Sequence, residues 1–158
     1  VNASRTARRI ALGALLAGLA ALIGARMGML SGRRPTRLGV ADGRLQPVRE
    51  HLTNAVSSTA TTDYHRIAPL DASPDPQAAF ARLRELVAGW DGARIVEERP
   101  DYVYAEFSTR WLGFVDDVEF LLDAPARAIQ VRSASRLGRK DFGVNRARVE
   151  AIRARLAG

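Results

Sequence analysis

Three consecutive segments between residues 101 and 136 alternate apolar and polar side chains, with only a few residues between them. Val103, Ala105 and Phe107 alternate with Tyr102, Tyr104 and Glu106; Val118, Phe120 and Leu122 alternate with Asp117 and Glu119; Ile129 and Val131 alternate with Gln130 and Arg132. A period of two marks a strand with one face on a core. The turns at residues 111–114 and 124–127 are too short for a crossover, so the strands must pair as antiparallel hairpins.

The flanking sequence supplies the rest of the layer. A short strand is expected at Ala93–Glu98 and another over residues 61–70. Between them, Ser73-Pro-Asp-Pro provides an N-cap and a proline for the first helical turn. Ala79, Phe80, Leu83, Leu86, Val87 and Trp90 then recur at helical spacing, with Gly89 as a stop. A last helix is expected from about Asn145, with Val149, Ile152 and Leu156 on one side. The fold class is α+β: an antiparallel sheet of four to five strands, covered on one face by two helices and preceded by an N-terminal membrane-anchor helix. The expected division is an anchor or signal segment at residues 1–30, a tether and irregular lead-in at 31–57, and the globular domain at 58–158.

Charge is distributed unevenly. Residues 1–37 hold seven Arg and no acid, 38–126 hold eight Arg against fifteen acids, and 127–158 hold nine Arg and Lys against two acids. Residues 38–158 therefore sum to zero, and their opposite blocks most simply neutralise each other across neighbouring elements. A nucleic-acid groove needs an unpaired basic face, so the chain's net charge of +7 does not imply a nucleic-acid partner.

At the start of the chain, sixteen uncharged residues from Ile10 to Ala25 follow Arg5, Arg8 and Arg9. A helix of that length reaches about 24 Å, short of a hydrocarbon core of about 30 Å. Extension to Leu30 closes the gap if Arg26 snorkels to the interface. The segment reads as an uncleaved single-pass anchor in an inner (cytoplasmic) membrane. A cleaved signal peptide ending near Ala25 and a soluble helix are the rival readings. Arginines flank both ends, so their count leaves the orientation open; short arginine-led anchors favour a domain facing the periplasm or cell exterior.

Two constellations could carry function. Matching Leu122, Phe120 and Val118 against Ile129, Val131 and Ser133 sets Glu119 opposite Arg132. The same logic sets Phe107 by Val118 and Glu106 by Glu119. Glu106, Glu119 and Arg132 then share a sheet face, either as a solvated charge network or as a paired-carboxylate or cation site. On the other face Asp116, Ser133 and Ser135 meet the turn into the last helix, where Asn145, Arg146 and Arg148 arrive. A carboxylate buried there needs a partner, and Arg136 or Arg146 can supply it. That junction is either hydrogen-bonded structure or a pocket for a small anion. A third group, Trp111, Leu112 and Phe114, sits at a hairpin tip and either caps the core edge or dips into a membrane interface.

No metal or cofactor site is expected. There is no cysteine, and His51 and His65 lack ligands at helical spacing. The Asp141-Phe-Gly143 triplet has none of the other motifs of a kinase, and no nucleophile–base motif is present.

The stretches "NAVSS" (residues 54–58), "IAPL" (67–70), "GFVDDVEF" (113–120) and "VRSASRLGRKDFGVNRARVE" (131–150) resemble the domain-of-unknown-function 1499 family, over about residues 38–156. The resemblance implies a bacterial or plastid protein, often membrane-associated or exported, with no established activity and no catalytic residues to carry over. The family pattern has cysteines near the positions of Val48 and Ala55, and this chain has neither. Their joint loss is what the resemblance implies if they pair in relatives, and such pairing points to an oxidising compartment. The expected function is a membrane-tethered, non-enzymatic binding or structural module. The alternative is a small hydrolase or a small-anion or ligand-binding domain.

Overall fold

The computed structural model describes residues 2–26 and 28–158, without the side chains of residues 2–5, 25 and 26. The flank at Arg5, the Arg26 snorkel and the Ala25 cleavage position lie outside the described side chains. In chain order the elements are α1 (Asn2–Arg26), β1 (Val40–Ala41), β2 (Arg44–Leu45), β3 (Ala55–Ser57), β4 (Leu70–Asp71), α2 (Pro76–Ala88), β5 (Ala93–Glu98), β6 (Tyr102–Ser108), β7 (Val115–Asp123), β8 (Ala128–Ser135) and α3 (Val144–Ala157).

The fold is α+β. A six-stranded antiparallel sheet runs β3-β8-β7-β6-β5, with β4 also paired to β8, and β1 and β2 form a separate ribbon. The sheet exceeds the four to five strands expected because two short strands, β3 and β4, share one edge of β8. β3 falls within residues 31–57, which read as irregular from sequence. The strand expected over residues 61–70 shrinks to its last residue and the next one. Backbone hydrogen bonds from His65 and Arg66 to the Thr62 carbonyl fold that segment into a turn instead.

Local sequence explains the helices. Asp75 caps α2 by accepting from the Ala78 N–H at 3.0 Å, and Pro76 fills a first-turn position where no N–H is needed. Gly89 ends it. Ala79, Phe80, Leu83 and Val87 of α2, and Val149 and Ile152 of α3, pack on Val103, Ala105, Val118, Phe120, Ile129 and Val131 of the sheet. Phe120 and Ile152 are fully buried, each contributing about 1.5–3 kcal/mol relative to exposure.

The β7–β8 register follows the apolar match: Leu122 faces Ile129, Phe120 faces Val131, Val118 faces Ser133 and Glu119 faces Arg132. The β6–β7 register differs from expectation by two residues. Phe107 faces Asp116, Ala105 faces Val118, Tyr104 faces Glu119 and Glu106 faces Asp117. The connecting turn sets this pairing. The Thr109 N–H donates to the Phe114 carbonyl at 2.9 Å, the Thr109 hydroxyl accepts from the Phe114 N–H, and Gly113 takes a positive φ of 66°. A slip of two residues leaves every side chain on its own face, so the apolar pattern cannot detect it.

Candidate functional site

The second face of the sheet is closed off from solvent as well. The lead-in lays Leu38, Val40 and Leu45 over Tyr102, Tyr104 and Leu121, making a small second core. The charged residues between these apolar groups are therefore buried: Glu119 is 0% exposed, Asp117 1%, Arg132 7% and Glu106 8%. This overturns the solvated face expected for Glu106, Glu119 and Arg132. A buried carboxylate must be paired and hydrogen-bonded to stay ionised, and each of these is.

Glu119 accepts from Arg132 Nη1 at 2.6 Å on one oxygen, and from the Tyr102 hydroxyl at 2.8 Å and the Gly39 N–H at 2.6 Å on the other. Asp117 receives Arg136 through Nε at 3.0 Å and Nη2 at 2.7 Å, and the Tyr104 hydroxyl at 2.6 Å. Glu106 collects Arg136 at 2.5 Å, Arg34 of the lead-in at 2.6 Å and Arg94 of β5 at 2.7 Å. Burial alone would push the Glu106 carboxyl up. The hydrogen bonds from Arg136, Arg34 and Arg94 outweigh that and hold it at about 2. Burial raises the Tyr102 and Tyr104 hydroxyls, reinforced by the neighbouring Glu119 and Asp117, so both stay protonated as donors. Burial disfavours the charged Arg136, yet Asp117 and Glu106 raise its pKa overall.

Arg136 therefore belongs to this face and not to the junction with Ser133 and Ser135. Strand parity requires it, because Arg132, Ala134 and Arg136 alternate with Ser133 and Ser135. The carboxylate at the junction, Asp116, is paired instead by Arg148, which also donates to Ser133 and Asn145. Arg148 lies three residues beyond Asn145 on the same side of α3. Arg146 points elsewhere and donates to the backbone carbonyls of Tyr64 at 2.7 Å and Arg66 at 2.9 Å.

Asn145, fully buried, is the centre of the junction. Its carbonyl accepts from the Ser133 hydroxyl at 2.6 Å, and its amide reaches Asp141 at 2.8 Å, Ser135 at 2.9 Å and the Asn54 carbonyl at 3.1 Å. Asp141 accepts in turn from the N–H groups of Gly143 and Asn145 at the start of α3. Burial would raise its carboxyl pKa, but these bonds and the Asn145 amide lower it overall. Ser133, Ser135, Asp141, Asn145 and Arg148 thus form, with Asp116, a sheet-to-helix joint held by hydrogen bonds.

Sequence reasoning missed Tyr102, Tyr104, Asp117, Arg34, Arg94, Asp141 and Asn54. Two tyrosines on a face otherwise carrying Glu106, Asp117 and Glu119 were the available signal, since such a face holds too much apolar area to remain in water.

Beside this network lies a cavity of about 600 Å³ between the lead-in and β8. Arg33, Arg37, Arg49, Arg132 and Arg136 border it, together with Asp117. Val48 and Ala55, both buried, border it too. At the β6–β7 tip, Trp111 is 63% and Leu112 45% exposed, while Phe114 is half-buried. His65 spends its ring nitrogens on the Thr62 hydroxyl and the Leu52 carbonyl. Among the described residues no three His, Cys, Asp or Glu converge as metal ligands would.

These features define an α+β domain with one apolar and one charge-paired face, following a helix long and apolar enough to cross a membrane. The family profile described as "Protein of unknown function (DUF1499)" matches residues 49–156, and the chain belongs to that family. Comparison with curated proteins and with solved structures returns no match.

Proposed function

We propose that α1 holds this chain in a membrane as an uncleaved single-pass anchor, and that the domain after it is a non-enzymatic binding or structural module on the periplasmic or outer side. The observation that carries the tether is the span Thr6–Gly24. Its mean hydropathy is 1.6, and none of it is buried against the rest of the protein. An apolar helix that covers no core needs another apolar medium. The outward orientation draws support from the resemblance, whose pattern has cysteines near Val48 and Ala55 and implies an oxidising compartment if they pair in relatives; both residues border one cavity here.

The non-enzymatic reading draws support from the state of the acids. A general acid works best with a pKa near the working pH, whereas Glu106 is held at about 2 by three arginines. Asp116, Asp117 and Glu119 are each bound to an arginine. The exposed tip of Trp111 and Leu112 is placed, in this reading, to touch the membrane interface, with Arg110 5.5 Å from the Trp111 ring.

Membrane fractionation tests the tether. Full-length protein is expected to sediment with membranes and to resist alkaline carbonate. Recovery of a soluble mature form beginning near Arg26 would replace the anchor with a signal peptide. A reporter fused after Gly158 tests the orientation, with activity expected only from a reporter that works outside the cytoplasm.

A further inference from the structure

We propose that the cavity between the lead-in and β8 is a binding site for a phosphate-type oxyanion, carried on a small phosphate ester or on a phospholipid head group. The inference deepens the binding reading above by naming its site and ligand chemistry.

The first observation is Arg132. It borders the cavity at 7% exposure, and its guanidinium makes one hydrogen bond, from Nη1 to Glu119 at 2.6 Å. Its Nε is the one buried side-chain nitrogen or oxygen without a partner among the described residues. Nη2, which completes the side-on fork with Nε, makes no hydrogen bond to the described protein either. A guanidinium presents two parallel N–H groups along that edge, spaced to fit two oxygens of one oxyanion. Leaving a buried donor unmet is costly, so Arg132, a residue that borders the cavity, has capacity for a further acceptor.

The second observation is the set of cations around it. Arg33, Arg37 and Arg49 border the same cavity and make no side-chain hydrogen bond or ion pair among the described residues. The acids nearby are already engaged: Asp117 by Arg136, and Glu50 by the Thr61 hydroxyl. Glu50 keeps its charge beside that hydroxyl, so five arginines border the cavity against two carboxylates and its field is net positive. A carboxylate satisfies one guanidinium fork. A phosphate monoester offers three terminal oxygens and close to two negative charges, which several converging arginines can share. A volume of about 600 Å³ exceeds that of a bare anion and suits an ester with an organic group attached.

The lead-in also limits where such a ligand comes from. Arg33 follows the end of the apolar span at Gly24 by nine residues, a reach of at most about 30 Å. If α1 is in the membrane, the cavity's arginines stay near the head-group layer. A lipid phosphate and a soluble phosphate ester thus offer the same chemistry from two sources.

The test uses the full chain in neutral detergent micelles. Inorganic phosphate, glycerol 3-phosphate and succinate are titrated while thermal unfolding is followed, with chloride at matched ionic strength as the reference. A parallel arm uses nanodiscs of phosphatidylcholine with and without phosphatidylglycerol. Wild type is expected to show a saturable response to a phosphate probe. Exchange of two exposed arginines, Arg37→Ser with Arg49→Ser, should weaken it about tenfold or more, the scale of losing charge-assisted bonds. Arg132→Lys keeps a cation for Glu119 but removes the fork, and should weaken it similarly; if that variant does not fold, the exposed pair decides. Arg82→Ser, outside the cavity, should leave it unchanged. A response to soluble phosphates assigns a small ester, and one confined to the anionic nanodiscs assigns a head group. Equal responses in wild type and the double variant, no saturable response to any probe, or tighter binding of succinate would overturn the proposal. Carbonate extraction reads the tether separately, so either reading can fail without the other.

Discussion

The two faces of the sheet are both buried, but by opposite means. On one face, α2 and α3 seal a continuous apolar layer in which Phe120, Val131 and Ile152 are fully enclosed. On the other, an irregular lead-in covers carboxylates and arginines that have been matched pair by pair. Apolar packing is tolerant, because hydrophobic residues of roughly the right size still exclude water. Charge burial is not, because every ion removed from water needs its own partner in place. The lead-in need not be regular to do this. It supplies one N–H at Gly39, one guanidinium at Arg34, and the side chains of Leu38, Val40 and Leu45.

This comparison predicts where single substitutions hurt most. The largest effect is expected at Arg136, whose side chain is 6% exposed and serves both Asp117 and Glu106. Arg136→Ala strands the buried Asp117 without a cation, takes one of three arginines from Glu106, and should lower the unfolding free energy by about 3–5 kcal/mol in denaturant titration. A loss under about 1 kcal/mol would mean the second face is wet. Next is Asp116, at the end of the apolar face, where Asp116→Ala leaves Arg148 without its carboxylate. We expect a loss of about 3 kcal/mol, and Asp116→Asn should recover part of it through hydrogen bonding.

A smaller effect should come from acid. Glu106 titrates at about 2 in the fold against an ordinary 4.5, so its folded-state pKa is depressed. Its contribution to stability is fully present above the ordinary value and is lost as pH falls from about 4.5 towards about 2. In a Glu106→Gln variant, the loss of stability over that interval should shrink relative to wild type. An unchanged pH profile would show that Glu106 is not held down by its arginines. Least affected should be Arg94→Ala. The Arg94 side chain is 67% exposed, and Glu106 keeps Arg34 and Arg136, so about 0–1 kcal/mol is expected.

The two faces also differ in how much of each can be read from the chain. Alternation and turn spacing reveal β5 to β8, and the apolar pairs Leu122–Ile129 and Phe120–Val131 match the β7–β8 register together with its Glu119–Arg132 pair. Helical spacing reveals α2 and α3. Alternation gives parity but not surroundings: it puts Tyr104, Glu106, Asp117 and Arg132 on one face without saying what lies above them. The cover arrives from 72 to 80 residues away in sequence, through Arg34 to Glu106 and Gly39 to Glu119. No periodicity marks those contacts. Arg136 and Arg148 are different: the sequence reading sets Arg136 at the junction and gives Asp116 to Arg136 or Arg146, although parity along β8 puts Arg136 on the charged face and the three-residue step from Asn145 brings Arg148 to Asp116.

The most direct test of a buried, paired second face is the coupling energy between Glu119 and Arg132. A double-mutant cycle with Glu119→Ala, Arg132→Ala and the double variant, each in the full chain, measures it by denaturant unfolding. Glu119 is 0% exposed and bonded to Arg132 at 2.6 Å, so either single change strands the other charge. The double variant should be much less damaged than the sum of the singles, with a coupling of about 2 kcal/mol or more. Additivity within about 0.5 kcal/mol, as for an exposed pair, would contradict the account.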